Sequence, residues 1–341
     1  MVTAFGDRRD EPQRIGFLLL PNFSLIAFTS AVEPLRLANR VRGHQLYEWR
    51  LYSVDGAPVA SSNGARVMVD GAISNDAEID MAIVCTGIDV HLVGNHATVS
   101  WLRRLERRGV AIGAVCTGTH VLARAGLLKN HRCTIHWENL VGFAEEFPEL
   151  EVTAQIFEID RNRYTCAGGT AAIDMMLELI AEQHGPDLAG DVAEQIIHER
   201  IRDHSEHQRL SLPGRLGVRH PKLLSIIGTM ENNLEEPLGR ADLAARAGLS
   251  TRQLERLFRK YLHRSPARYY LEMRLHRARL LLLQTNMSVM NVALACGFVS
   301  ASHFTKCYRA FFGRTPYRER GLPRAADATP PRPRKKALAS S

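Results

Sequence analysis

Apolar and polar positions keep two different rhythms along this chain. Between residues 14 and 185, short apolar runs alternate with stretches of helical period. "RIGFLLLP" (14–21) and "DMAIVCTG" (80–87) are unbroken apolar runs of strand length, which predicts strands buried on both faces. "YEWRLYSVDG" (47–56) alternates and ends in a turn signal. "VAIGAVC" (110–116) and "RYTCAGG" (163–169) predict two more strands, and the intervening periodicity predicts helices over 25–40, 98–108, 117–128 and 170–185. Strands alternating with helices imply a largely parallel sheet covered by helices on both faces, with any ligand at the carboxyl ends of its strands.

After residue 185 the pattern is helical and then polar, and 206–221 reads as a linker. Everything from 222 to 321 has helical period, and a basic tail rich in Pro and Ala, 322–341, is expected to be disordered. The helical part contains a repeat. "LAARAGLSTRQLERLFRKYLHRSP" (243–266) returns as "VALACGFVSASHFTKCYRAFFGRTP" (292–316). Gly248 matches Gly297; after one inserted residue Leu254 matches Phe304, Phe258 matches Tyr308, Arg259 matches Arg309 and Pro266 matches Pro316. In each copy a short helix meets a glycine turn, a serine cap (Ser250, Ser300) and a second helix, the signature of a helix-turn-helix. The stretch 266–285 predicts a long helix between two reading heads, which would enter successive major grooves of double-stranded DNA about 34 Å apart. Off the apolar face the first copy shows Arg252, Glu255, Arg256, Arg259 and Lys260, and the second shows Ala301, Ser302, Thr305, Lys306 and Arg309.

Charge sharpens this division. The chain of 341 residues carries a net +8, but residues 1–220 sum to −6 and residues 221–341 to +14. A basic C-terminal third on an acidic body points to a polyanion-binding module joined to something else. No apolar run is long enough to span a membrane, and the polar start "MVTAFGDRRDEPQR" has no apolar signal-peptide core, so a cytoplasmic protein is expected. The six cysteines are scattered without a C-x-x-C pair, as for free thiols in a reducing compartment. His198, His204 and His207 read as a solvated helix face rather than a metal set, and neither a metal nor a cofactor is expected.

Chemistry concentrates on Cys116, in "GAVCTGTHVLARAGLL" (113–128), where a strand turns sharply into a helix. A nucleophile there needs a base or a lowered pKa. His136 and Glu138 are the candidate partners. The rival reading keeps the turn as a binding site, with helix N–H groups for an anion.

Residues 222–321 resemble the AraC family DNA-binding domain, most specifically in "VALACGFVSASHFTKCYRAFFGRTP". The resemblance implies sequence-specific transcriptional control, usually activation with RNA polymerase as a partner. It places base-reading roles on Arg252, Glu255 and Arg256, and on Ala301, Ser302, Thr305 and Lys306. Residues 14–185 resemble the ThiJ/PfpI group of the class I glutamine amidotransferase-like fold in "IGFLLLPNFSLIAF", "AIGAVCTGTHVLARAGLLKNHRCTIHW" and "CAGGTAAIDMMLELI", which implies a flavodoxin-like sheet. The whole resembles GlxA-type regulators. A sensor over 12–205, a homodimer, and an effector such as glycine betaine, carnitine, a related amine or an amino acid are then expected. Hydrolytic members of the group carry His after the cysteine and an acid after the first strand; here Thr117 and "PNFSLIAF" stand there. The domain is therefore expected to bind without catalysis, using Asn22, Phe23, Ser24, Cys116, Thr117, His136, Trp137 and Glu138. A cysteine-dependent hydrolase or amidase, or a redox sensor at Cys116, is the alternative.

Overall fold

The computed structural model describes residues 11–74 and 77–320. The expected tail 322–341 and the first ten residues lie outside them. The N-terminal α/β domain is built from β1 (Gln13–Leu19), α1 (Leu25–Arg42), β2 (Tyr47–Ser53), β3 (Val59–Ala60), β4 (Arg66–Val67), β5 (Gly71–Ala72), β6 (Met81–Cys85), α2 (His96–Arg107), β7 (Ala111–Val115) and α3 (Gly118–Arg124). It continues through β8 (Arg132–Thr134), α4 (Leu140–Glu146), β9 (Glu151–Thr153), β10 (Phe157–Asp160), β11 (Arg163–Cys166), α5 (Ala171–His184) and α6 (Pro186–Ile196). The central sheet runs β10-β11-β7-β6-β1-β2-β5, parallel except where β10 pairs antiparallel with β11. This is the mostly parallel, flavodoxin-like sheet expected.

β6 and β7 are buried at every position, because each sheet face carries its own core. One core joins α1, α5 and α6 to the sheet through Phe17, Ala31, Leu35, Met176 and Leu179, and the other sits under α2 and α3 through Leu18, Trp101, Leu105 and Leu122. The β3–β4 hairpin, the β8–β9 pair and β10 were not expected. They are two to four residues long, too short for a period to show. α3 also stops at Arg124 rather than near 128, because Gly126 takes a left-handed φ of 72°.

The stretch 198–207 is not the solvated helix face expected. α6 ends at Ile196, and the chain then folds onto a buried carboxylate. Asp174, fully buried in α5, accepts from His198 Nε2 at 2.8 Å, from the Arg202 backbone at 2.8 Å and from Arg202 Nη2 at 2.6 Å. A charge at that depth has to be paired, and the pairing fixes the loop.

The helical part comprises α7 (Leu212–Leu216), α8 (Pro221–Glu231), α9 (Arg240–Arg246), α10 (Thr251–Leu262), α11 (Pro266–Gln284), α12 (Val289–Ala295), α13 (Ala301–Phe312) and α14 (Pro316–Arg320). α7 falls inside the stretch read as linker. Its Leu212 and Leu216 pack on the core of α8, α9 and α10, and Arg215 pairs with Glu231 at 3.0 Å. Each half has its own small core: Leu254 and Phe258 fill the first, Phe304 and Tyr308 the second, all fully buried. Among the described residues no helix is long and apolar enough to cross a membrane.

Asp174→Ala removes the carboxylate, leaves the Arg202 guanidinium without its ion-pair partner and takes the acceptor from His198, so it should lower the stability of the α/β domain by about 3–5 kcal/mol. Urea unfolding followed by circular dichroism checks this: the midpoint drops at nearly constant slope.

Candidate ligand crevice and DNA-reading helices

The end of β7 forces an unusual backbone. Cys116 sits at φ 60°, a left-handed conformation that costs a non-glycine residue energy and persists only where its surroundings hold it. Its N–H donates to the Cys166 carbonyl at 3.1 Å. Gly168 presses on it from the next strand end; a Cβ there would lie 2.7 Å from the Cys116 Cβ. A Cβ on Gly118, the first residue of α3, would collide with the Val84 carbonyl. Gly168 lets the loops after β7 and β11 close on each other, and Gly118 lets the start of α3 lie against the end of β6.

The loops after β1 and β6 join them. Ser24 N–H donates to the Thr86 carbonyl at 3.2 Å, Thr117 Oγ1 donates to the Gly87 carbonyl at 2.5 Å, and it lies 2.8 Å from Thr86 Oγ1. Thr119 Oγ1 donates to the Thr134 carbonyl at 2.7 Å, which ties the end of β8 to α3. The loop 136–139 follows directly, and the Glu138 carboxylate acts electrostatically on the Cys116 thiol. Asn22 and Ser24 border Gly87, and these bonds bring them and Thr117 to the carboxyl ends of the strands beside Cys116, with the loop 136–138 next to them; this junction is the candidate crevice.

Several of these side chains are already occupied. Phe23 is wholly buried, edge-on to Phe28 with centroids 5.8 Å apart, so its ring belongs to the core and is not a crevice wall. The Ser24 hydroxyl caps α1 by accepting from Ala27 N–H at 3.4 Å. The Thr117 hydroxyl is buried in the bonds just described.

Burial, first, pushes the Cys116 thiol up to about 11; Glu138 raises it further, against the Thr117 backbone N–H, which lowers it. At neutral pH it is a thiol, unlike an activated nucleophile. Burial lowers the pKa of His136, which Glu138 partly offsets. The His136 ring is turned toward Glu138, with Nδ1 accepting from the Glu138 N–H at 3.4 Å and standing 4.0 Å from its carboxylate. Among the described residues no imidazole or carboxylate hydrogen-bonds the Cys116 Sγ.

Two neighbours of the crevice went unseen in sequence, because both come from the expected linker. Gln208 Nε2 donates to Thr134 Oγ1 and to the carbonyls of Ile135 and Gln155, at 2.8–3.0 Å. Next to it, the Arg209 guanidinium stands 4.5 Å over the Trp137 ring, within the field of Glu138. From the other side of the loop, α4 packs against α11, and Gly142 faces Gln284 and Thr285.

In the helical part α10 and α13 expose matching faces. Arg252, Arg256, Arg259 and Lys260 are exposed on α10, and Ser302, Lys306 and Arg309 on α13; Ala301 and Thr305 are half-buried. Glu255 is half-buried and held by Arg240 of α9 at 3.4 Å. Ser250 and Ser300 cap their helices, and Gly248 and Gly297 take positive φ of 60° and 71° in the turns. The nineteen-residue α11 is about 28 Å long and separates the two units.

An α/β ligand fold joined to paired helix-turn-helix units defines a DNA-binding regulator, and comparison with known proteins agrees. The DJ-1/PfpI family matches residues 13–182, and a helix-turn-helix domain matches 243–321. The HTH-type transcriptional regulator GbdR of Pseudomonas aeruginosa is 50% identical over 309 residues, covering 91% of this chain and 84% of that protein. The HTH-type transcriptional regulator GlxA of Rhizobium meliloti is 40% identical over 316 residues, covering 92% and 97%. The chain belongs to this family of transcriptional regulators, with an AraC-type helix-turn-helix domain behind a DJ-1/PfpI domain. The fold also serves enzymes: isonitrile hydratase of Pseudomonas putida is 30% identical over 179 residues, covering 52% of this chain and 74% of that enzyme.

A thiol raised to about 11 is almost wholly protonated at pH 8. Replacing Cys116 by Ser should therefore leave the rate of iodoacetamide labelling at pH 8 nearly unchanged. The labelling that Cys116 does contribute should grow steeply toward pH 11, read by mass spectrometry of the Cys116 peptide.

Proposed function

We propose that the sensor, residues 12–205, binds a small zwitterion without turning it over. On this reading the DNA-binding domain, 222–321, transmits occupancy to two successive major grooves. The ligand carboxylate takes the first-turn amides at the elbow, and its cation takes Trp137 and Glu138. The observation that carries this reading is Arg209: a guanidinium already stands on the Trp137 ring beside a carboxylate, so the ring lies in an environment that accepts a cation. The neutral Cys116 thiol supports binding over nucleophilic attack. The resemblance to GlxA-type regulators favours glycine betaine, carnitine, a related amine or an amino acid as effector. It also favours activation of transcription by a homodimer contacting RNA polymerase in the cytoplasm. The candidate ligand contacts are Asn22, Ser24, Cys116, Thr117, His136, Trp137 and Glu138. The candidate DNA contacts are Arg252, Glu255, Arg256, Ala301, Ser302, Thr305, Lys306 and Arg309.

Calorimetric titration of the full chain with betaines, carnitines, amines and amino acids tests the sensor. A saturable one-site heat with intact ligand is expected. Trp137→Ala and Glu138→Gln should each weaken binding by about 0.5–2 kcal/mol, while Arg209→Gln, which removes the internal cation, should tighten it. Unchanged affinity in both Trp137→Ala and Glu138→Gln sinks the cation subsite. Consumption of a ligand that stops in Cys116→Ser sinks the non-catalytic reading.

On the DNA side, Arg252→Ala or Arg256→Ala should each cost about 1–3 kcal/mol on the specific site and little on random DNA. Gel-shift titration on both duplexes separates a base contact from a phosphate contact, which would lose equally on each.

A further inference from the structure

The two helix-turn-helix copies differ by one residue, and the structure locates it. In the first copy, Leu249 N–H donates to the Ala244 carbonyl at 2.9 Å and the cap Ser250 follows at once. In the second, Phe298 N–H donates to the Ala293 carbonyl, also at 2.9 Å, so Phe298 is the counterpart of Leu249. Val299 is then the inserted residue, standing between Phe298 and the cap Ser300. Phe298 is 1% exposed and Val299 is 90% exposed.

That exposure is built in. Arg274 of α11 donates to the Cys296 and Gly297 carbonyls at 2.7 Å each, and its guanidinium stacks 4.2 Å over the Phe298 ring. Phe298 in turn packs on Phe304 at 5.0 Å between centroids. With both its neighbours anchored, Val299 is held outward at the amino end of α13, the end of a recognition helix that meets base edges. Its chemistry there is narrow. Valine has no hydrogen-bonding side chain and no charge, so it serves neither a phosphate nor a polar base edge. In the major groove the apolar feature is the thymine 5-methyl group. The side chains that follow, Ala301 and Ser302, are small and leave room for this close approach.

We propose that Val299 is a specificity-determining residue of the second reading head, packing on a thymine 5-methyl group in the operator. The head with the smaller polar side chains thus gains an apolar reading contact that the first head lacks, since no residue stands between Leu249 and the cap Ser250.

The test uses the full-length chain and an operator selected from random duplexes. Each thymine is then replaced by uracil, which removes only the methyl group. One replacement under the second head should weaken the native chain about fivefold, the scale of a buried methyl contact. Val299→Ala should lose about the same on the thymine operator, become indifferent to that replacement, and keep its salt dependence. Thermal unfolding of Val299→Ala should match the native chain, because the side chain makes almost no contact within the fold. The proposal is overturned if no uracil replacement distinguishes the two proteins. It is equally overturned if Val299→Ala binds the operator normally but loses transcription with purified RNA polymerase, which would make the residue a polymerase contact.

Discussion

The α/β domain depends on how closely its backbone packs at the end of β7. Cys116 is forced left-handed, Gly118 slides under the Val84 carbonyl, and Gly168 rests on the Cys116 Cα and Cβ. A Cβ at Gly118 would meet the Val84 carbonyl and one at Gly168 the Cys116 Cβ, so a side chain at either position would force this junction apart. The same closeness excludes water from the thiol. In an enzyme of this geometry a base would offset the desolvation. Here Glu138 adds to it, and the sulfur stays protonated. One constraint therefore builds the crevice and also quiets its most reactive atom.

The loop 134–146 connects this crevice to both halves of the helical part. On one side Gln208 and Arg209 clasp Thr134, Ile135 and Trp137, and seven residues on from Gln208 Arg215 grips Glu231 of α8. On the other, α4 lays Val141 and Gly142 against the end of α11, beside the second small core. The segment 136–138 thus lies between two connections to the helical part. A ligand biases a domain arrangement only through different affinities for two of them, and under the proposed reading displacement of Arg209 from the Trp137 ring would be one physical source of that difference.

The two reading heads share a plan but use unlike chemistry. Both bury an aliphatic or aromatic pair at the same spacing and cap with serine. The first then displays arginines, with Glu255 steadied by Arg240. The second displays small side chains, Lys306, Arg309 and the outward Val299. Arginine side chains are suited to phosphates and guanine edges, and small or apolar ones to close approach and methyl groups, which is the division the proposed contacts follow.

Much of this was legible from sequence because it rests on local period and composition. Five strand runs of the main sheet, the helices between them, the repeat with its caps and glycines, and the charge contrast between the two parts all follow from residues near one another in the chain. So does Cys116 at a strand-to-helix turn. What sequence could not supply depends on partners far apart in the chain. The short strands β3, β4, β5, β8, β9 and β10 exist only through pairing. His198 and Arg202 leave the expected helix because Asp174 is buried more than twenty residues earlier. Phe23 goes to the core because Phe28 and the sheet claim its ring. The state of the thiol and the cation on Trp137 were likewise decided by tertiary structure, since burial and the placing of Glu138 and Arg209 are properties of the folded chain. Local pattern fixes which elements form; desolvation and long-range pairing decide what their side chains are free to do.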